Sequence, residues 1–144
     1  MLFADVVNKG TIPALEKLVA YTEFRQRVLA ENVANIDNPH YRTKHLDAAA
    51  FQQALRTAFD RQKSGQTRGF EMPAGEDFRV GSDGRLEVTP TERPAENLLF
   101  HDGTNASVER QMALMAENAM MHQTARELLR SRFEGLLKAI RGRL

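Results

Sequence analysis

Four histidines, His40, His45, His101 and His122, are the side chains best suited to hold a metal or to move a proton near neutral pH. No two of them stand one helical turn apart and none sits in an H-E-x-x-H context, so no metal site is expected. The chain has no cysteine, which excludes thiol catalysis, disulfides and cysteine-ligated zinc or iron-sulfur clusters. Its serines lack a G-x-S-x-G elbow, and its carboxylates are dispersed instead of bracketing a recognisable cleft. Gly81-Ser-Asp-Gly84 has no following Lys and opens no helical pattern, so it reads as a hairpin turn and not as a phosphate loop. Asn105-Ala-Ser107 matches a glycosylation sequon but reads as the cap of a helix. These absences leave no catalytic residue, no cofactor and no small-molecule substrate to nominate. His122 reads instead as a polar residue in a helix seam, where it would set register.

Lys plus Arg number 20 against 19 for Asp plus Glu, a balance that argues against a general polyanion binder, so no nucleic-acid partner is expected. The local basic tail of Lys138, Arg141 and Arg143 suits the negative end of a helix. Met1 to Gly10 has no basic segment followed by a long apolar one, and no window reaches the roughly 20 apolar residues of a membrane span. The expectation is a chain without a cleaved signal peptide and without a membrane helix.

What remains is the set of elements. A first long helix is predicted from Pro13 to Ile36, with Gly10 or Thr11 as a loose cap, within an amino-terminal region of 11–37. Leu15, Leu18, Val19, Thr22, Gln26, Leu29, Val33 and Ile36 fall on one stripe about 100° wide. Tyr21, Phe24 and Val28 make a second apolar edge that a single partner helix would leave uncovered. Asn38-Pro39 is expected to stop the helix, because proline lacks the amide donor. A middle region of 38–101 then holds a short helix over 47–63, capped by Asp47, with Phe51, Leu55 and Phe59 on its face. It also holds a β-hairpin over 78–89, around a four-residue loop, followed by an extended stretch from Thr89 to Pro94.

The carboxy-terminal region, 102–144, carries the longest pattern. After a turn at Asp102-Gly103 and a cap at Ser107, a helix is predicted to run to Ile140. Val108, Met112, Met115, Ala119, His122, Arg126, Leu129, Phe133, Leu136 and Ile140 recur at alternating steps of four and three residues. Eight of these ten are apolar, which predicts a heptad seam. Leu114, Met121, Ala125, Leu128 and Ala139 add a further apolar edge, wider than a two-helix coil uses. The fold expected is therefore mainly α: two long terminal helices in an antiparallel coiled-coil hairpin, with a short helix and a small β excursion between them. Surplus apolar edges point to packing on other chains.

Val28-Leu-Ala-Glu-Asn-Val-Ala-Asn-Ile-Asp-Asn-Pro-His-Tyr41 resembles the amino-terminal signature of flagellar rod and hook proteins, in which a helix ends in A-x-N-[IV]-A-N-x-x-T-P-G-Y. Asn32, Ala34, Asn35, Pro39 and Tyr41 match it, while Asn38 and His40 stand where that family has Thr and Gly. Lys44-His-Leu-Asp47, Asp102-Gly-Thr-Asn105 with Val108-Glu109, and Arg132-Phe133 with 136–142 are similar to segments of the family's proximal rod members. The resemblance implies a structural subunit of the bacterial flagellar basal body, exported by the flagellar type III apparatus and polymerising through its terminal helices to carry torque for motility. Its partners would be other rod subunits and the basal-body membrane-ring or adaptor proteins, and its place would span the periplasm. The interface residues it implies, with the seam, are the five signature positions and Val108, Met112, Met115, Leu129, Phe133, Leu136 and Ile140. The residues taken alone also allow a free-standing helical adaptor or export chaperone that binds one partner helix.

Overall fold

The computed structural model describes residues 11–93 and 103–142. Helix α1 spans Ile12–Ala34, helix α2 Ala48–Lys63 and helix α3 Gly103–Ile140. Four three-residue strands lie between α1 and α3: β1 at Thr43–His45, β2 at Phe78–Val80, β3 at Leu86–Val88 and β4 at Thr91–Arg93. Strands β2 and β3 form one antiparallel ladder and β1 and β4 another. The chain is mainly helical, with a small antiparallel sheet region.

Two faces of α1 are used. One packs along α3, with Thr22 against Asn118 and His122 while Gln26 meets Asn118, and Leu29 and Arg110 border one cavity. Partners on α3 fall in number as those on α1 rise, so the two helices run antiparallel. The other face carries Tyr21 and Val28 into a core with Leu46, Phe51, Ala54 and Phe78, with Phe24 packed at its edge. The edge that the spacing left uncovered is therefore closed by the middle of the same chain. Tyr21 stacks on Phe51 with ring centroids 3.8 Å apart and planes 5° from parallel, and Phe78 meets Phe51 edge-on at 5.3 Å.

Several boundaries differ from expectation for local reasons. Helix α1 ends at Ala34, ahead of the proline, because the backbone leaves helical geometry at Asn35, whose φ is −110°. Helix α3 begins at Gly103, so Ser107 lies inside it and is not its cap; Asp102, the other half of the expected turn, lies outside the described residues. Asp47 does cap α2, its carboxylate accepting from the Ala50 amide at 3.0 Å. The buried stripe of α2 is Phe51, Ala54 and Ala58, while Phe59 is exposed. In the hairpin the ladder stops at Val80 opposite Leu86, which leaves residues 81–85 as the loop, one longer than expected. Gly84 occupies φ 79°, a left-handed turn position that favours glycine. The extended stretch after Thr89 pairs through Thr91–Arg93 with β1, a contact that spacing within either segment does not reveal.

Candidate functional site

The signature at the end of α1 is a hydrogen-bonded knot. Asn32 is 5% exposed and engages both its amide nitrogen and its amide oxygen. Its Nδ2 donates to the Lys44 carbonyl at 2.8 Å, and its Oδ1 accepts from the Lys44 amide at 3.0 Å and from the Tyr41 hydroxyl at 2.9 Å. One side chain thus makes a two-bond bridge to β1, as a neighbouring strand would, and holds the loop between them. Asn35 does simpler work: its Nδ2 donates to the Glu31 carbonyl at 2.9 Å, satisfying one of the last orphan acceptors of α1. Asn38 accepts from the His40 amide at 3.1 Å in an Asx turn, as Thr or Ser would more weakly. His40 needs no left-handed backbone, since among the described residues only glycines have positive φ. Pro39 and Ala34 are exposed and Tyr41 is half-buried.

Charge reinforces the knot. Lys44 Nζ lies 2.6 Å from Glu31, and this hydrogen bond raises the ammonium above its ordinary range. Burial, then Glu31, pushes the Tyr41 phenol up. Burial also raises Tyr21, with the Asp77 carboxylate adding to it, and its hydroxyl has no hydrogen-bond partner among the described residues.

The second part of the site is the face of α3. Its buried and half-buried positions include Val108, Gln111, Met115, Asn118, His122, Ala125 and Leu129, again at steps of three and four, but with the phase reversed from the expected seam. Every second expected position is therefore out: Met112 is 58% exposed, Ala119 and Arg126 are exposed, and Ile140 is 54% exposed. Choosing positions by apolarity passed over Gln111 and Asn118, which are inside because α1 presents polar partners to them. Asn118 is fully buried, and its Nδ2 donates to the Thr22 carbonyl and to Gln26 Oε1, each at 2.8 Å. Thr22 Oγ1 lies 2.8 Å from the Leu18 carbonyl and 2.8 Å from His122 Nδ1, so a hydroxyl donating to its own helix leaves the imidazole nitrogen as donor. The sequence signal for them is the polar pair Thr22 and Gln26 inside an apolar stripe, which calls for polar residues opposite.

Towards its carboxy end α3 carries further apolar side chains that are more exposed. Leu129 and Leu136 are half-buried, and Phe133, Leu137 and Ile140 are 41%, 50% and 54% exposed. A groove of about 650 Å³ opens at this end, bordered by Val19, Leu129 and Phe133 and by Arg126 and Arg130. His40, His45 and His122 remain apart from one another, and among the described residues no group of side chains suits a metal ion. No helix among them is long and apolar enough to cross a membrane. His101 and Arg143 lie outside the described residues.

The described site is thus a helix pair tied by a polar layer, with an asparagine knot at the end of α1 and exposed apolar side chains towards the end of α3. Sequence comparison gives the class: the chain is similar to bacterial flagellar basal body rod proteins. The particular relatives carry one name, FlgB. That of Salmonella typhimurium is 26% identical over 125 residues, 82% of this chain and 83% of the relative. That of Bacillus subtilis is 26% identical over 133 residues, 92% and 95% of the two chains, and that of Aeromonas hydrophila is 29% identical over 120 residues, 82% and 83%. No family model matches the chain, and no solved structure does.

Proposed function

We propose that this protein is a structural subunit of the flagellar basal-body rod and not an enzyme. The observation that carries the reading is the similarity to rod proteins named FlgB over 82% to 92% of the chain. In this reading α1 and α3 form an antiparallel coiled-coil hairpin whose remaining apolar stripe is covered by neighbouring subunits. Leu129, Phe133, Leu136 and Ile140 lie on or beside that stripe; Val108 and Met115 hold the hairpin itself, and Met112 faces outward for another contact. The signature residues Asn32, Ala34, Asn35, Pro39 and Tyr41 set the direction in which the chain leaves α1. Polymerised subunits would transmit torque for swimming, with other rod proteins and the basal-body ring or adaptor proteins as contacts. Delivery by the type III export apparatus would place the chain across the periplasm.

The test is genetic and chemical together. Cells lacking the gene should assemble no rod and should not swim, and site-specific crosslinks from Phe133 and Ile140 should capture other rod components in isolated basal bodies. Crosslinks confined to unassembled export substrates would favour an export chaperone, and a swimming deletion strain would end the rod reading.

A further inference from the structure

The exposed apolar side chains of α3 fall into two sets. Near the start of the helix Met112, Ala116 and Met120 stand one turn apart on a single exposed stripe. At 58% and 71%, its two methionines are the most exposed large apolar side chains among the described residues. Exposed apolar groups are ordinary when scattered, whereas a contiguous run of them marks a contact surface. Towards the end of the helix lies the groove of about 650 Å³, lined by Val19, Leu129 and Phe133 with Arg126 and Arg130. Charge separates the two sets. Between Arg110 and Arg126 the one formally charged side chain is Glu117, while from Arg126 to Arg141 five basic residues stand against two acidic ones. Arg130 is tied to Glu134 at 2.8 Å but keeps 82% of its side chain exposed, so it is open to a second carboxylate. Spacing unites them: Ala116, Glu117 and Met120 repeat the intervals of Leu129, Arg130 and Phe133. A shift of 13 residues therefore sets a small side chain against a large one, an acid against a base and a thioether against a ring.

We propose that the groove receives the methionine stripe of a second copy of this chain, lying parallel and displaced along the helix by those 13 residues, about 20 Å. In that contact Met120 rests on Phe133, a favourable pairing of sulfur with a ring, and Ala116 lets the two helices approach closely over Leu129. Glu117 comes level with Arg130, with Arg126 one turn away, so the ion pair selects the register. It also selects the sense: with Met120 on Phe133 in an antiparallel pair, Glu117 would lie against the apolar turn of Leu136 and Leu137. One helix on one groove buries less than a free-standing complex needs, so the contact is weak alone and gains from repetition in an assembly. That the assembly is a rod rests on the reading above; the contact itself rests on the matched spacing, size and charge of the two sets.

The chain has no cysteine, so introduced ones report the contact directly. Positions 120 and 133 lie about 20 Å apart along one helix, too far for a disulfide within a copy. Chains carrying Met120→Cys and chains carrying Phe133→Cys, both at exposed positions, are mixed and oxidised. This is done with purified full chains at high concentration and in basal bodies from cells that express both. Linked pairs should form in the mixture and not from either variant alone. Adding Glu117→Arg to the first chain should lose them, and adding Arg130→Glu to the second should restore them. Pairs formed by Met120→Cys chains alone overturn the displacement. An equal yield when Phe59→Cys on α2, as exposed as Phe133, replaces Phe133→Cys shows random collision and overturns the site. No pairs in either setting overturns the second copy as occupant. So does a photo-crosslinker at Phe133 whose adducts map only to residues 1–10 or to a different protein. Failure of the rod reading is seen separately, as a deletion strain that still swims, and leaves the pairs formed by purified chains unaffected.

Discussion

Asn32 and Asn35 stand three residues apart in one signature, yet the structure gives them unequal work. Asn32→Ala removes three hydrogen bonds and strands both backbone groups of Lys44, so it should cost about 3 kcal/mol of stability. Asn35→Ala removes one bond at a helix end and should cost about 1 kcal/mol. Chemical denaturation of the two variants checks the order, and equal losses would refute the knot. The signature pattern makes both residues visible in the sequence, but only the fold ranks them, because the partner of Asn32 is a strand backbone twelve residues away. The burial of Arg25 is invisible for the same reason, since a charge on a helix reads as solvated until two other elements cover it. Tyr21 gives a pH test. Its raised folded value means that the neutral phenol is favoured by the fold; this stability is complete below the ordinary value of 10.0 and erodes as pH rises above it. Tyr21→Phe keeps the stack on Phe51, should change stability at neutral pH by no more than about 1 kcal/mol, and should flatten the alkaline loss seen by circular dichroism.

On the scale of elements, the length and direction of α3 could be read from its spacing, while its rotation could not. A rule that counts apolar residues at heptad positions prefers Met112 and Ala119 to Gln111 and Asn118, although the latter pair faces α1. The polar layer of Thr22, Gln26, Asn118 and His122 is what defines that rotation. Asn118→Leu should therefore leave helicity and stability within about 1 kcal/mol of wild type but loosen the pairing, seen as mixed association states in sedimentation. Phe133 probes the opposite end. It is 41% exposed in the single chain, so Phe133→Asp should change monomer stability by only about 0.5 kcal/mol. If neighbours cover the stripe, the same carboxylate would be buried unpaired in the rod at several kcal/mol, and swimming should fail with melting unchanged. The strands show the converse limit: Thr91–Arg93 looks merely extended in sequence, because its partner Thr43–His45 is distant along the chain.

At the scale of the whole molecule, order should be graded along α3. Hydrogen exchange should find strong protection around Asn118 to Ala125, where α1 covers the helix, and weak protection from Phe133 to Ile140 that rises on assembly. Uniform protection at all concentrations would instead describe a self-contained adaptor. The middle of the chain was the least readable part, since a core of Tyr21, Phe51 and Phe78 is assembled from three segments whose separate patterns are weak. The mismatch of the two long helices has one more consequence. At about 1.5 Å per residue, the 38 residues of α3 span about 57 Å against about 35 Å for the 23 residues of α1. A hairpin with unequal arms has a head and a tail, so in the proposed rod its longer arm would meet a different surface on the next copy. Such an unlike-to-unlike joint does not close into a symmetric pair; it repeats with a constant sense, so a filament built from it has a built-in direction of growth.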